Sequence, residues 1–573
     1  MSISAVQKAM RNGEFPQARN LLERLIAKSP GSPELHYNLA MVLTRLNDFA
    51  CAADHFALCL QHAPDNVDLM NNLGNALRLS EQYAKAKGVF NRAVALAPTH
   101  PALRCNRGWL LIAMGVPQSA EIDFRAALDQ DSTIEDAWRG LSDSLLATGK
   151  TSDANTLLKK ALTQFPLSSG LQNSMGVLNI RNRSPAIALE FFKKAVSLNP
   201  KNAEALTNLG ITAEQLGDLD LAKTSLEQSL VVRPGHHASH FHLAHLATHT
   251  PTPSEITAIE SALAAASSDQ AKIDLEFALG KSCAKSGEHD RAFSYFSSAR
   301  DRLHRIESFD TAAAIAKLAT WTNSKVTLPV QTSPSKIFVV GMPRSGTTLA
   351  DQILSSHSLV QSLGESGTIG KLSKKMEKLG FNGASPALEE NIKAELAVWL
   401  RAELSSGDDA QTVVDTSPGH FIHLGLLAEL MPEARFVMCT RNAIDNCVSI
   451  FEHPLTKAHG YANNLSDLGR YYSACQQLAM HWEDQLKDRL HELNYEKLIT
   501  DPKQQITQLL QHCGLEFEQA CTEFHLHKRA VLTPSAAQVR QPLNADSMGR
   551  WRRYEAFLGE LIAELPVDQI QPA

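Results

Sequence analysis

Proline recurs at Pro30, Pro64, Pro98, Pro166, Pro200 and Pro234, a period of 34 residues with one double interval of 68 in which Ser132 fills the missing place. Ten residues after each slot stands a small residue: Ala40, Gly74, Gly108, Ser142, Gly176, Gly210 and Ala244. Twelve residues before each slot stands alanine: Ala18, Ala52, Ala86, Ala120, Ala154, Ala188 and Ala222. Three position classes in one register leave few folds open. Between slots, apolar residues recur at i, i+3, i+4 and i+7 in two stretches, as in LMNNLGNALRLSEQYAKAKGVFNRAVALAP, which predicts two helices per period. Small residues let the paired helices approach closely, and proline stops the second before the next pair begins. One pair cannot bury both of its faces, so the pairs must stack.

This pattern resembles the tetratricopeptide repeat, whose period is 34 residues. The resemblance covers residues 1 to about 250. A looser repeat follows, in which Gly280 and Ala292 keep the 12-residue offset, and a helix near 309–322 is expected to cap the array. The predicted first domain is therefore an all-α superhelix over 1–325. The resemblance implies a concave groove that binds a protein or peptide; the alternative is an array that only scaffolds the second half.

His236, His237, His240, His242, His245 and His249 crowd into one stretch. Pairs at i, i+3 and i+4 could chelate a metal on a helix face. Leu243 and Ala244 keep the repeat register, however, and no Cys or carboxylate lies close by, so the stretch reads as an ordinary repeat helix and no metal site is assigned.

After a linker rich in Pro, Thr and Ser at about 325–336, the pattern changes to short β-rich runs at 336–341, 412–415, 435–440 and 489–494, separated by helical stretches. That alternation predicts an α/β domain over 336–573 with a parallel sheet, whose ligands bind at the carboxyl ends of the strands. The first run leads into GMPRSGTT, residues 341–348, and then a helix. Gly341 and Gly346 keep the glycine spacing of a phosphate loop, a turn that aims backbone N–H groups at one anion. Thr347 stands where the NTPase loop carries lysine, so the loop is P-loop-like, with Arg344 as its cation. No clear acidic partner for Mg²⁺ is present, although Asp415 follows a strand.

A strand followed by PRSGTT resembles the 5′-phosphosulfate loop of sulfotransferases, which use 3′-phosphoadenosine 5′-phosphosulfate (PAPS). The resemblance spans about 336–555 and is nearest to tyrosylprotein sulfotransferases and to bacterial proteins that join tetratricopeptide repeats to such a domain. It implies that Arg344, Ser345, Gly346, Thr347 and Thr348 hold the 5′-phosphosulfate. It also implies that Arg441 and Ser449, in RFVMCTRNAIDNCVS, bind the 3′-phosphate. An arginine with a hydroxyl suits a terminal phosphate by charge and fork geometry. Tyr495 would lie near the adenine, and Arg540 would reach a phosphate from a closing segment that contains Arg550, Arg552 and Arg553. At least two of those three arginines are expected to be structural.

The implied reaction is sulfuryl transfer from PAPS to an acceptor hydroxyl. The acceptor must lose a proton, which requires a general base. Glu365, in SLGES, lies 21 residues after Arg344 and matches the family's catalytic glutamate. Arg344 and the loop N–H groups would stabilise the transition state. The alternative for Glu365 is a carboxylate at a helix N-terminus. The family often has lysine where this chain has Thr416, a hydroxyl that brings no charge; His420 and His423 are nearby.

The acceptor class stays open at this point: a protein or peptide, tyrosine by resemblance, or a small molecule or glycan. A third reading is a repeat scaffold that binds nucleotide without turnover. Nucleotide kinase activity is disfavoured by Thr347. The net charge of −6 argues against an overall nucleic-acid or anionic-membrane binder. The nine scattered cysteines, the lack of an apolar leader and the lack of a long apolar run predict a soluble, cytoplasmic protein with reduced thiols.

Overall fold

The computed structural model describes residues 3–322, 325–326, 328–330, 332–379, 388–405, 412–527, 529–533, 536 and 538–566. The chain divides into two compact units, Met1–Thr212 and Ala213–Ala573.

The first unit is a stack of antiparallel helix pairs. Pro33–Arg45 pairs with Phe49–His62, Val67–Leu79 with Tyr83–Leu96, and the series continues to Ser169–Arg181 with Pro185–Leu198. The periodic small residues sit where the helices cross. Ala18, Ala52, Ala86, Ala120, Ala154 and Ala188 are fully buried. A Cβ on Gly74 would lie 2.6 Å from Phe90, and one on Gly176 would lie 2.3 Å from Phe192. The phenylalanine of the second helix thus lies directly over the glycine of the first.

Two further periodic features appear. Ser32, Asn66, His100, Ser168 and Asn202, each two residues after a slot, accept a backbone N–H at the start of the next helix. The turn within each pair uses one residue with positive φ: Gly13, Asn47, Glu81, Gly115, Gly149 and Arg183, at 57° to 77°. Glycine takes this conformation freely, whereas Glu81 and Arg183 take it at a steric cost.

The second unit contains the remaining helices, Leu219–Val232, His237–His245, Pro253–Ala265, Asp269–Lys285, His289–Ile306 and Thr311–Trp321, followed by the α/β portion. Its sheet holds β1 (Lys336–Gly341), β2 (Val360–Ser362), β3 (Thr412–Thr416), β4 (Ala434–Thr440) and β5 (Leu490–Asn494), all parallel, in the order β2-β3-β1-β4-β5. None of the β-rich runs of the sequence corresponds to β2, whose three residues are too few to show alternation. Side chains of β1 alternate between two cores: Phe338 and Val340 on one face, Ile337 and Val339 on the other. The strand is buried on both faces, as a covered parallel sheet requires. From β1 the order runs to β3 and β2 on one side and to β4 and β5 on the other. The loops after β1 and β4 therefore diverge and leave a crevice at the carboxyl ends of the strands.

Four helices frame that crevice: α1 (Thr347–Ser355), α2 (Ala443–Phe451), α3 (Leu465–Leu486) and α4 (Tyr495–Thr500). Eight of the nine cysteines are buried, and no described helix is long and apolar enough to cross a membrane.

Candidate functional site

The turn from β1 into α1 is built around three residues with positive φ: Gly341 at 153°, Arg344 at 67° and Gly346 at 108°. A Cβ on Gly341 would lie 2.6 Å from the carbonyl oxygen of Cys439 and 2.7 Å from Ser345 Oγ, so glycine is a steric requirement there. Asn446 Nδ2, from α2, donates to the Pro343 carbonyl at 2.8 Å and anchors the loop from the side. Thr347 and Thr348 open α1, where its N–H groups face the crevice.

The structure brings most of the expected residues together here. Arg344, Gly346, Thr347, Thr348, Arg441 and Tyr495 line one cavity of about 130 Å³. Arg344 Nε lies 3.4 Å from Ser449 Oγ, and Arg441 Nη1 donates to the Arg344 carbonyl at 3.3 Å. The Arg441 guanidinium stacks over the Tyr495 ring at 5.0 Å. A second cavity of about 550 Å³ lies on the other side of Arg441, toward β5.

Three polar atoms at the ends of these strands are buried without a hydrogen-bond partner among the described residues: Ser345 Oγ, Thr416 Oγ1 and Arg441 Nε. Buried polar groups are normally paired, so three orphans at one sheet edge mark a place built for a polar ligand. The charge points the same way. Burial, and then repulsion from Arg441, pushes the Arg344 guanidinium down to about 10. Two such cations side by side favour an anion between them.

Glu365 lies exposed on the segment after β2, where the Gly364 carbonyl accepts the Thr416 N–H at 3.0 Å. That places it at the carboxyl edge of the sheet, in the loop before the helix Thr368–Lys378 and outside its first turn. Its neighbour Asp415 is buried and accepts hydrogen bonds from the hydroxyls of Ser366 and Ser417. Asp415 is thus built into the strand end. His420 and His423 are both shifted down, chiefly by burial, so neither supplies a cation at neutral pH.

Arg540 is not brought to the cavity. Its Nη2 donates to the carbonyls of Gln215 and Arg529, both at 2.8 Å, and its guanidinium rests against Gly217. The expectation that Arg540 reaches a phosphate is corrected on that point: two carbonyls hold its Nη2 away from the cavity, and the residues around it, Gln538, Gln541, Asn544 and Ser547, line the cavity instead. Arg550 is structural. It pairs with the buried Glu452 at 2.5 Å, and Tyr554 Oη donates to the same carboxylate at 3.0 Å. Arg552 stacks over Trp551 at 5.3 Å.

Sequence reasoning missed the organising role of α2. Asp445 accepts the N–H groups of Gly549 and Trp551 at 2.6 and 3.0 Å, Asn446 holds the loop, Ser449 meets Arg344, and Glu452 holds Arg550. Asp and Asn set within one short apolar stretch, with Glu at its end, were the available signal.

The histidine cluster disperses. His236 bonds Ser239 Oγ, His237 pairs with Asp274, His240 meets the Pro234 carbonyl, His245 meets the Phe241 carbonyl, and His249 lies 3.5 Å from Glu255. Among the described residues no group of three or more His, Cys, Asp or Glu is arranged to hold a metal ion.

Residues 334–519 match the sulfotransferase family, and residues 4–66, 67–100 and 191–224 match tetratricopeptide repeats. A protein of Aquifex aeolicus (strain VF5), described only as an uncharacterized protein, is 25% identical over 91% of this chain and 72% of its own length. Protein-tyrosine sulfotransferase 1 of Danio rerio is 24% identical over 47% of this chain and 83% of its own. Among solved structures, a tetratricopeptide repeat protein from Parabacteroides merdae aligns with a TM-score of 0.37 at 17% identity, over 40% of this chain and 91% of its own.

Proposed function

We propose that this chain, in which tetratricopeptide repeats precede a sulfotransferase-family domain, is a sulfotransferase that takes its sulfuryl group from PAPS. The observation that carries the reading is the trio of buried, unpartnered polar atoms, Ser345 Oγ, Thr416 Oγ1 and Arg441 Nε, beside the neighbouring, mutually repelling cations Arg344 and Arg441. Such a site favours a ligand with several anionic oxygens.

In this reading Arg344, Ser345, Gly346, Thr347 and Thr348 receive the 5′-phosphosulfate, Arg441 and Ser449 receive the 3′-phosphate, and Tyr495 serves the adenine side. Arg540 is left out, because its Nη2 is held by two carbonyls outside the lining of the cavity. The acceptor oxygen forms a bond to sulfur as the bond from sulfur to the bridging phosphate oxygen breaks. The acceptor proton passes to Glu365. The charge left on the nucleotide falls to Arg344 and the α1 N–H groups, donors that are fixed before the reaction starts. Thr416 would give that leaving oxygen a neutral hydrogen bond. The acceptor is a hydroxyl of a protein or peptide, tyrosine on the strength of the named relatives, and the repeat array recruits it.

Thermal shift of the full chain with 3′,5′-adenosine bisphosphate, against ATP with Mg²⁺, tests the donor. Stabilisation by the bisphosphate is expected, and stabilisation by ATP alone overturns the reading. Transfer of radiolabelled sulfate into a lysate, resolved into protein and small-molecule fractions, tests the acceptor; label confined to small molecules overturns the protein acceptor.

A further inference from the structure

Arg300, on the helix His289–Ile306, is 1% exposed and has no carboxylate partner among the described residues. Its guanidinium is satisfied almost wholly by main-chain oxygens. Nε donates to Phe451 O at 3.0 Å, Nη2 to Ile450 O at 2.5 Å and to His453 O, and Nη1 to Asn463 Oδ1 at 3.0 Å. The three carbonyls are those of the C-terminal end of α2 and the residues just after it. A helix leaves these oxygens without intrahelical partners and with partial negative charge, so one buried cation neutralises the end of α2 and fixes its direction. Phe277 and Phe451 flank the guanidinium at 5.3 and 5.6 Å. Burial pushes the guanidinium down to about 9, a cost that only this cage of acceptors offsets.

The rest of the contact is equally specific. Phe293, about two turns earlier on the same helix, stacks on Phe451 at 5.5 Å and on Phe557 at 4.8 Å. His245, from the helix His237–His245, lies 5.5 Å from His453. Helix α2 therefore has a repeat-type helix at its back and the crevice at its front. On the crevice side it carries Asn446 for the phosphate loop, Ser449 for Arg344, and Asp445 for the segment that brings the Ser547 carbonyl onto Arg441 at 2.7 Å.

We propose that Arg300 is a positioning residue of the donor site: by fixing the C-terminal end of α2 it holds Asn446, Ser449 and Asp445 where the donor's phosphates bind, which makes the irregular repeat a working part of the transferase. This rests on the reading of α2 and the loop as the donor site. A recruiting module could be exchanged without effect on donor binding; this helix could not.

Calorimetry of the full chain with 3′,5′-adenosine bisphosphate tests it. Arg300→Lys keeps the charge but cannot span four acceptors, and Arg300→Ala leaves a guanidinium-sized gap. Both are expected to bind the nucleotide about tenfold more weakly or worse while folded. Millimolar guanidinium is expected to restore binding in Arg300→Ala and leave Arg300→Lys unchanged. A purely structural role would lower the melting temperature without altering affinity in the folded protein, so wild-type affinity in Arg300→Lys overturns the proposal. Should neither arginine variant fold, Asn463→Ala, which removes one acceptor, is expected to weaken binding several-fold, and unchanged affinity there overturns it as well. A wild-type chain that ignores the nucleotide overturns the donor reading itself, a result distinct from wild-type binding that survives the Arg300 changes.

Discussion

The side-chain amide of Asn446 donates to the main-chain oxygen of Pro343 at 2.8 Å, so the helix that follows β4 holds the loop that follows β1. These two strands are neighbours in the sheet but far apart in the chain. The bond ties both halves of the candidate anion site to one short helix, in which Asp445, Asn446 and Ser449, with Glu452 just past its end, each grip a different segment.

Asn446→Ala leaves the buried Pro343 carbonyl unpaired, a penalty of about 1–3 kcal/mol. Because the penalty falls on the loop, it is expected to appear as roughly tenfold weaker binding of 3′,5′-adenosine bisphosphate by calorimetry. Equal affinity in the variant would show that the loop holds its shape without α2.

Arg441 makes one strong bond, to the Ser547 carbonyl, and keeps its Nε free of partners among the described residues. A charged contact is worth about 1.5–3 kcal/mol. Arg441→Ala is therefore expected to raise the KM for PAPS roughly tenfold or more in a sulfate-transfer assay, and an unchanged KM refutes a phosphate role.

Glu365 is exposed at the sheet edge, outside the cavity that holds Arg344 and Arg441. A general base in that place acts on the acceptor and leaves the nucleotide alone. Glu365→Gln is expected to lower turnover by about 10²–10⁴-fold with nucleotide affinity within twofold of wild type. Near wild-type turnover would remove Glu365 from the mechanism.

The repeat was legible because its constraint is steric and recurs: one alanine and one small residue per helix pair, at a spacing that nothing else produces. The turn residues were less so, since positive φ at Glu81 and Arg183 leaves no trace in residue type. In the α/β portion the strands and the loop announce themselves through β-rich runs and glycine spacing. Residues that act by holding others do not. Arg300 looks like any charged residue on an amphipathic helix until its acceptors, some 150 residues away, come into view. Arg540 fails in the opposite sense, a well-placed cation in sequence that the fold turns toward carbonyls.

Glu452 sets the acid limit of the clasp on the C-terminal segment. Burial raises its carboxyl, but Arg550, Lys281 and the Tyr554 hydroxyl together hold it below the ordinary range. A carboxyl with a depressed folded pKa stabilises fully above its unfolded value, about 4.3, and that stability is lost as pH falls through the lower folded value. Melting temperatures taken from pH 7 downward are expected to hold until the pH nears that unfolded value of about 4.3 and then to fall progressively toward the lower folded value. Glu452→Gln, which strips the partner from a largely buried Arg550, is expected to cost about 3 kcal/mol at neutral pH and to flatten that acid limb. An identical acid limb in the variant would assign it to other groups.

Two glycines of the first unit give opposite expectations for the same substitution. Gly88 lies on the exposed side of the helix Tyr83–Leu96, where an added Cβ would meet nothing within 4 Å, so Gly88→Ala gains helix propensity of about 0.5–1 kcal/mol. Gly176 sits under Phe192, where a Cβ would come within 2.3 Å of Cε1 and 2.6 Å of Cδ1. Phe192 is 1% exposed and has no free side to turn toward. Gly176→Ala makes the same gain in propensity but overpacks the crossing by about 1–3 kcal/mol, so it is expected to melt below wild type while Gly88→Ala melts above it. A Gly176→Ala chain as stable as Gly88→Ala would show that the ring can move aside, and that the small residue ten places after each proline slot is not there for steric reasons.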